Sequence, residues 1–344
     1  MTTLHVGNFL SQTLKTYSSS EALTLRLVQR GHSVITTSSH QNRALRFLDM
    51  MLTTWNRRHD YEIAQIAVFS GPSFLWVEAV CALLRRLGKP YILTLHGGNL
   101  ANFAKQHPKR VEALFKTAAA ITTPSHMLQQ AFLSIRPDLL LLPNGIELGN
   151  FTYRPRNSAE PRIGWLRAIH RIYSPQIAVE AAARLTNEFP QIELVMIGPN
   201  KDDQAYKLVE DTAERLNFKN RLKIVGAVPN HEVEKVLAPC DIFLNTTTIE
   251  SFGKSVFEAA ALGMCIVTTN AGELPHIWQH EHDALLIPPD DAEATAAAIR
   301  RLLKEPELAA KLSRNARQKA ENHDWEAVIP RWESLFQQIK QKHL

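Results

Sequence analysis

The chain is poor in cysteine and has no long hydrophobic run. Three of its 344 residues are cysteines, Cys81, Cys240 and Cys265, and they lie far apart without a CxxC pair. A thiolate zinc site or a disulfide framework is therefore not expected, and a reducing compartment fits best. The apolar stretches fall far below the roughly 20 residues that span a bilayer, and the first residues lack the basic segment of a signal peptide. We expect a soluble, cytoplasmic protein.

Several catalytic motifs are also missing. The sequence contains no GxxxxGK[ST], HExxH or GxSxG pattern, which disfavours a P-loop enzyme, a zincin and an α/β-hydrolase. No cluster of metal-ligating residue types stands out either. We expect neither a bound metal nor a resident cofactor.

The composition is that of a globular protein, with 45% hydrophobic and 21% charged residues. At roughly 100–200 residues per domain, the length indicates two domains. Short β-rich runs, the first at residues 5–10, alternate with amphipathic segments through both halves, which predicts βαβ units and parallel sheets. The connector at 143–155 is rich in proline, glycine and asparagine. The predicted fold is α/β, with Rossmann-like domains at 1–150 and 151–324, a terminal helix at 325–344, and a ligand crevice between the domains.

Positive charge is concentrated in the first half. Residues 1–150 contain 15 Lys and Arg against 8 Asp and Glu, a net +7, whereas the remaining residues carry a net −2. Such a basic half is typical of proteins that face anionic lipid, an anionic saccharide or nucleic acid. Ordinary solubility explains it equally well.

The most informative stretch is residues 246–259, TTTIESFGKSVFEA, where a helix is predicted to begin near Phe252. Gly253 allows a ligand to approach the backbone, and the free N–H groups and dipole of a helix start suit a diphosphate. Glu250 precedes this start, and Glu258 follows it at about 12 Å along the helix. Carboxylates so placed can accept hydrogen bonds from sugar and ribose hydroxyls. The alternative is that the helix dipole alone favours Glu250 and that Glu258 is a surface residue.

The surrounding sequence resembles the family 4 retaining glycosyltransferases of the GT-B fold. Phe252 and Gly253 lie inside the Glu-x7-Glu pattern, and AAALG and CIVT follow it. Other segments at the family's spacing are LPNGI at 142–146, MIGP at 196–199, GAVP at 226–229 and the terminal helix with Trp325. The resemblance covers most of residues 139–340. It implies two Rossmann-like domains that face each other across a cleft, with the terminal helix crossing back to the first domain.

The resemblance also implies roles for individual residues. Glu250 would hold hydroxyls of the donor sugar, Glu258 would bind the ribose, Val228 would touch the base, and Gly198 would line the donor site. The backbone N–H groups for the diphosphate would come from the helix start, namely Phe252, Gly253, Lys254 and Ser255. As alternatives, Gly253 only permits a turn and Val228 belongs to the core.

The basic residues depart from the family pattern. The family stabilises the departing diphosphate with an Arg and a Lys after the first strand of the second domain, but here Trp165 and His170 stand at those places. Arg167 and Arg171 lie close enough to substitute. We favour Arg167, and Arg171 is alternatively solvated or ion-paired.

His96 precedes two glycines at the carboxyl end of a predicted strand, which is the ligand side of a parallel sheet. The family often has His-Gly here, in contact with the donor sugar or the reacting centre. We expect His96 to donate a hydrogen bond or shuttle a proton, the alternative being a structural histidine. Two loops depart from the family: residues 9–18 offer hydroxyls and Lys15 instead of glycines, and residues 271–276 read AGELPH.

These features together predict a retaining glycosyltransferase that moves a sugar from a nucleotide-diphosphate donor to an acceptor hydroxyl. The process would be cell-surface polysaccharide, lipopolysaccharide or glycolipid synthesis. UDP, GDP and ADP donors stay open. The acceptor would be a saccharide or a lipid-linked molecule, the basic first half would contact the inner face of an anionic membrane, and nucleic acid would not be a partner. The alternatives are a GT-B nucleotide-sugar epimerase and a non-catalytic sugar-nucleotide binder, which the changes at Trp165 and His170 keep open.

Overall fold

The chain forms two compact units in a computed structural model that describes residues 1–10, 18–97 and 99–343. Unit 1 comprises Met1–Gly145 and the C-terminal segment from Trp325, and unit 2 comprises Ile146–Asp324. Lys15 of the glycine-poor loop lies outside the described residues. None of the helices in the described part of the chain is long and apolar enough to cross a membrane.

Unit 1 contains, within the described residues, a parallel sheet of six strands in the order β2-β1-β3-β4-β5-β6. The strands are β1 (Thr2–Val6), β2 (Ser33–Thr37), β3 (Ile63–Val68), β4 (Tyr91–Leu95), β5 (Ala120–Thr123) and β6 (Leu140–Leu141). The helices between them are α1 (Ser19–Gln29), α2 (Arg43–Asn56), α3 (Ser73–Arg86), α4 (Leu100–Gln106), α5 (Pro108–Lys116) and α6 (His126–Phe132).

Continuous apolar runs explain this sheet. Every residue of β3 and β4 is buried, as expected for central strands of a parallel sheet that is covered on both faces. The two strands pair in register, with Val68 opposite Leu95. Their carboxyl ends therefore meet at one edge, where Phe69 and His96 follow.

Unit 2 repeats the architecture, with a parallel sheet of six strands in the order β12-β11-β10-β7-β8-β9 among its residues, all of which are described. The strands are β7 (Arg162–Leu166), β8 (Glu193–Ile197), β9 (Leu222–Gly226), β10 (Ile242–Asn245), β11 (Cys265–Thr269) and β12 (Leu285–Ile287). The helices are α7 (Pro175–Ala183), α8 (Asp203–Arg215), α9 (Val233–Leu237), α10 (Lys254–Ala261), α11 (Leu274–Ile277), α12 (Ala292–Lys304) and α13 (Pro306–Glu321).

The C-terminal helix, α14 (Trp325–His343), belongs to unit 1. Its apolar side includes Val328 and Phe336, which are buried in one cluster with Leu27 of α1 and Ile63 of β3. This burial of apolar surface is what attaches the last helix to the first sheet.

Three local features differ from the sequence-based prediction. β1 begins at Thr2 rather than at residue 5, because its backbone pairs with β2 from Thr2 onward. The helices α4 and α11 are not predicted, since elements this short show no clear hydrophobic period. α10 begins at Lys254 rather than near Phe252, because Gly253 before it adopts a left-handed conformation with φ of 79°.

Candidate active site

The carboxyl ends of β7 and β10, which are neighbours in the sheet of unit 2, bring an arginine and a glutamate together. Arg167 follows β7, and its main-chain N–H donates to the carbonyl of Ile197 at 3.0 Å. Glu250 lies in the loop after β10, and its Oε2 accepts a hydrogen bond from Arg167 Nη2. The side chains are only 21% (Arg167) and 6% (Glu250) exposed. The folded protein therefore needs both charges, because a buried charge without a partner is strongly destabilising.

The second carboxylate oxygen of Glu250 is fixed by the backbone. Glu250 Oε1 accepts hydrogen bonds from the N–H groups of Ser251 at 3.0 Å and Phe252 at 3.3 Å. A carboxylate offers about four lone-pair sites. Arg167 and the two N–H groups occupy three of them, which leaves acceptor capacity for one more donor such as a hydroxyl.

Two glycines fix the backbone on which this pair stands. A Cβ at Gly198 would lie 1.7 Å from the carbonyl oxygen of Arg167, and a Cβ at Gly272 would lie 2.1 Å from the carbonyl oxygen of Glu250. Both residues also have positive φ values, 145° and 57°. Gly198, predicted to line the donor site, thus allows close backbone approach behind Arg167. Sequence reasoning names Gly272 only within the AGELPH segment, as part of a departure from the family pattern.

Tyr173 supports the guanidinium of Arg167. The Cζ atom of Arg167 lies 4.6 Å from the centroid of the Tyr173 ring. The turn that carries Tyr173 is tied to the loop after β10, since the Tyr173 carbonyl accepts from Thr246 Oγ1 at 2.7 Å and the Ile172 carbonyl accepts from the Thr248 N–H at 2.9 Å. Burial lowers the pKa of Arg167 from its ordinary value, but an arginine keeps its charge in proteins. Sequence reasoning missed Tyr173, because no spacing rule links it to Arg167 across an irregular turn.

The start of α10 carries a buried hydroxyl that has no partner. Ser255 is buried, and its Oγ makes no hydrogen bond to any described residue. The Nε of Arg167 is likewise buried and unpartnered within the described chain. Because buried polar groups are rarely left unpaired, these two atoms are candidates for hydrogen bonds to a polar ligand. The unpaired N–H groups of a first helical turn favour an anionic one.

Glu258 lies one turn further along α10. Its carboxylate is 7% exposed, and Lys254 Nζ lies 3.3 Å from its Oε1. Burial raises the pKa of Glu258 above its ordinary value, while the charge of Lys254 lowers it. Glu258 is therefore not the surface residue that the alternative interpretation assumed.

Arg171 lies in a different environment from Arg167. Its Nε is 2.6 Å from Asp202 Oδ2, and its side chain is 66% exposed. Asp202 also caps α8 by accepting hydrogen bonds from two N–H groups of the first turn. Of the two arginines, Arg167 is the one that contacts Glu250, and the role of Arg171 toward a diphosphate stays a prediction.

In the described part of the chain, neither residue at the family's basic positions, Trp165 or His170, forms a hydrogen bond or an ion pair with Glu250 or Glu258. Trp165 is fully buried, and its Nε1 donates to Thr246 Oγ1 at 3.0 Å. His170 Nδ1 accepts from the N–H of Ile172 at 3.3 Å. Trp165 thus serves as a core residue that anchors the loop after β10, and His170 caps the turn that carries Tyr173.

Two other predicted donor-site residues pack against apolar neighbours. Phe252 stacks on Phe257 with ring centroids 4.8 Å apart. Val228 is half-buried and packs against the hydrophobic cluster around α9 and α10. Contact of Val228 with a base stays a prediction.

In unit 1, His96 follows β4 and stacks on Phe69 with ring centroids 5.3 Å apart. Burial lowers the pKa of His96 to about 4, so the ring is neutral at pH 7, with one nitrogen as donor and the other as acceptor. It lines a pocket of about 20 Å³ with Gln65 and Thr94. A space of that size admits about one water molecule.

Comparison with known proteins gives a family match in unit 2. Residues 156–319 match the family described as "Glycosyl transferases group 1". A phosphatidyl-myo-inositol mannosyltransferase of Mycolicibacterium smegmatis is 25% identical over 197 residues, which is 56% of this chain and 50% of that protein. TuaC of Bacillus subtilis, a glycosyltransferase named for teichuronic acid biosynthesis, is 29% identical over 275 residues, 77% of this chain and 68% of that protein. This chain thus spans half of the length of the mannosyltransferase.

Solved structures share the fold. HepE of Anabaena in complex with UDP matches with a TM-score of 0.76 at 16% identity, covering 98% of this chain and 100% of that chain. The sucrose-phosphate synthase of Thermosynechococcus elongatus matches with a TM-score of 0.74 at 18% identity, covering 98% of both chains. Together with the two parallel sheets, this likeness confirms the predicted α/β, GT-B fold with two Rossmann-like domains.

Proposed function

We propose, on the premise that this chain belongs to the glycosyl transferases group 1 family, that it is a retaining glycosyltransferase with a nucleotide-diphosphate sugar as donor. The observation that carries the proposal is the buried pair of Arg167 and Glu250, next to a helix start with an unpartnered buried hydroxyl. A site with a cation beside free N–H groups binds a diphosphate better than it binds a neutral ligand.

In this proposal, unit 2 stabilises the leaving group. When the bond between the sugar and the diphosphate breaks, negative charge grows on the phosphate oxygen, and preorganised donors lower the barrier most where charge develops. Arg167 supplies the cation, and Ser255 with the N–H groups of the first turn of α10 supplies neutral donors. Glu250 orients Arg167 and accepts a hydroxyl of the donor sugar, and Glu258 accepts the ribose hydroxyls.

Unit 1 takes the acceptor in the same proposal. His96 is neutral and can donate or accept a hydrogen bond at a reacting hydroxyl. One relative is named as a phosphatidyl-myo-inositol mannosyltransferase, and another is named for teichuronic acid biosynthesis. These names support an acceptor in glycolipid or cell-surface polysaccharide synthesis. Such acceptors place the enzyme at the cytoplasmic face of a membrane, where the basic first half meets anionic lipid.

The donor is tested first with free nucleotides. HepE binds UDP in its solved structure, so we expect UDP to stabilise this protein more than GDP or ADP in thermal unfolding. A ligand at about 100 times its dissociation constant adds about 2.7 kcal/mol. If none of the three raises the melting temperature, a nucleotide-diphosphate donor is contradicted.

Product analysis separates transfer from the two alternative functions. We expect free nucleoside diphosphate to form only when an acceptor is present, and the new linkage to keep the anomeric configuration of the donor. An epimerase would convert the donor without any acceptor. A non-catalytic binder would bind nucleotide without turnover, and Glu250→Gln would then change nothing but affinity.

A further inference from the structure

A small cavity beside His96 is lined by a buried amide whose oxygen has no partner. The cavity measures about 20 Å³, and Gln65, Thr94 and His96 are among the residues that line it. Gln65 is 1% exposed, and its Oε1 makes no hydrogen bond to any described residue. Buried polar groups are rarely left unpaired, and the proposed function does not use this oxygen.

Strand geometry explains why these three side chains meet. Side chains two residues apart point to the same face of a strand. Gln65 therefore shares a face with Ile63 in β3, and Thr94 shares one with Ile92 in β4, with His96 two residues further on. Ile63 and Ile92 are buried in one cluster with residues of the C-terminal helix α14. The cavity thus lies on the face of the sheet that α14 covers, and Trp325 and Trp332 of that helix also line it.

The hydrogen bonds of Thr94 define what fits in the cavity. Its Oγ1 accepts from Gln65 Nε2 at 2.7 Å and from Thr122 Oγ1 at 3.0 Å. These two bonds use both lone pairs of the hydroxyl, so among the described residues its O–H is left as a donor. The cavity offers an acceptor at Gln65 Oε1 and a donor at Thr94 Oγ1. A water molecule can both donate and accept, and it needs at least about 10–15 Å³ of such space.

His96 is the third polar group at the cavity. A neutral imidazole carries its proton on one of two nitrogens, and the hydrogen bond made by one nitrogen decides the state of the other. The His96 ring stacks on Phe69 at an interplanar angle of 20°. Stacking fixes the plane of the ring but does not choose between the two tautomers. A polar partner on the cavity side is needed for that choice.

We propose that Gln65 and Thr94 are positioning residues that orient His96 through one buried water. The water donates to Gln65 Oε1, accepts from the Thr94 O–H, and makes a further hydrogen bond to a ring nitrogen of His96. This bond holds the imidazole in one tautomer, so the other nitrogen meets the reacting hydroxyl in a fixed state. The inference rests on the proposed function for the reaction of His96, but the tautomer is measured without any substrate.

Nuclear magnetic resonance of the full chain, labelled at its histidines with nitrogen-15, measures the tautomer. The signals of His96 are identified by their loss in His96→Asn. We expect one tautomer in excess, and a change of about fivefold in the tautomer ratio in Gln65→Met and in Thr94→Val, which is the effect of one hydrogen bond. Thr94→Ser keeps the hydroxyl and should keep the ratio. Because neither donor nor acceptor is present, such a change identifies water as the bridging group.

The matched control is Thr3→Val. Thr3 Oγ1 is also buried and has no partner among the described residues, but Thr3 does not line the cavity. Its substitution should leave the His96 signals unchanged. The alternative partner of Gln65 is His5, which lies opposite it in β1 and has an Nε2 that is likewise unpartnered in the described chain. If Gln65→Met alters the signals of His5 and not those of His96, the inference is overturned.

Kinetics test the link between the tautomer and the reaction. In Gln65→Met, kcat should fall about tenfold while the KM of the donor stays the same, because orientation of a proton-transfer group affects the chemical step. A changed tautomer ratio with an unchanged kcat would overturn the positioning role. If the tautomer responds as expected but the unchanged chain transfers no sugar, only the proposed function is contradicted.

Discussion

The two units share one architecture but differ in the polar side chains at the ends of their central strands. At the strand ends of unit 2, the buried polar groups include the charged Arg167, Glu250 and Glu258. In unit 1, the end of β4 carries Thr94 and is followed by His96, whose pKa is lowered to about 4 so that its ring is neutral. A parallel sheet supplies a ligand edge in either case, and the side chains decide whether that edge suits an anion. The contrast supports a diphosphate in unit 2 and a neutral hydroxyl acceptor in unit 1.

The largest expected effect concerns the charged pair in unit 2. Arg167→Gln should reduce turnover by about 10²–10³-fold, because it removes a preorganised cation from the leaving group. The matched control is Arg184→Gln, which breaks an exposed ion pair with Glu293 and should leave turnover within about twofold. Initial rates with the identified donor and acceptor measure both.

Stability must be followed in the same variants, since Arg167→Gln leaves Glu250 buried without its partner. That single change should cost about 3–5 kcal/mol of unfolding free energy. Arg167→Gln/Glu250→Gln should recover part of it without recovering turnover. Full activity in the double variant would show that the pair is structural only.

Next in size is the cost of a methyl group at Gly272. Gly272→Ala places a Cβ 2.1 Å from the Glu250 carbonyl at a positive φ, so the loop must shift, and we expect a loss of about 2–4 kcal/mol. Gly31 of unit 1 also has a positive φ, but nothing lies within 4 Å of its Cβ position. Gly31→Ala should cost only about 1 kcal/mol. Chemical denaturation measures both, and equal losses would mean that the contact with Glu250 is unimportant.

The sequence predicts the site residues that local spacing positions, but not those that are positioned by contacts between distant loops. The helix start at Gly253 and the acids around it follow from local spacing, which sequence shows directly. The sequence offers two arginines, Arg167 and Arg171, that lie close enough to the family's basic positions to substitute. The support of Arg167 by Tyr173 and the contact of Gly272 with Glu250 arise between loops that the sheet brings together. Local patterns carry no information about such contacts.

The fold shows the same division. Central strands such as β4 and β11 are apolar runs bounded by turn residues, a pattern that predicts a strand from the sequence alone. β1 is misplaced by three residues at its start, since only pairing with β2 and β3 defines where it begins. Short helices depend on tertiary contacts for most of their stability and have weak local signals.

A pH experiment addresses a buried histidine of unit 1. His5 is fully buried, and its pKa is lowered to about 3 by burial. The unfolded chain binds a proton below pH 6.5 that the folded chain does not, so stability falls as pH drops through 6.5 toward 3. At pH 5 we expect a loss of about 2 kcal/mol relative to pH 7 from this residue.

The loss is read from thermal unfolding at the two pH values. In His5→Gln, the difference in unfolding free energy between pH 5 and pH 7 should be smaller. Replacement of His59, which is exposed, should leave that difference unchanged. A pH dependence that His5→Gln retains in full would assign the effect to other groups.

The smallest expected effect concerns Glu258. Glu258→Gln should weaken nucleotide binding about tenfold, because it removes a charged acceptor for ribose hydroxyls. Because burial raises the pKa of Glu258, the same change should leave unit 2 as stable as before or more stable at pH 7. Glu210→Gln on the exposed side of α8 is the control. A lower free energy of unfolding together with unchanged nucleotide binding in Glu258→Gln would show that Glu258 is a structural residue.

The central claim is that Arg167 and the start of α10 hold a diphosphate. Calorimetric titration of uridine and UDP into the unchanged chain and into Arg167→Gln tests it most directly. The account predicts that UDP binds the unchanged chain far more tightly than uridine does, and that this advantage shrinks by tenfold or more, on the order of 1.5–3 kcal/mol, in Arg167→Gln. An advantage of UDP that is undiminished in Arg167→Gln would contradict it.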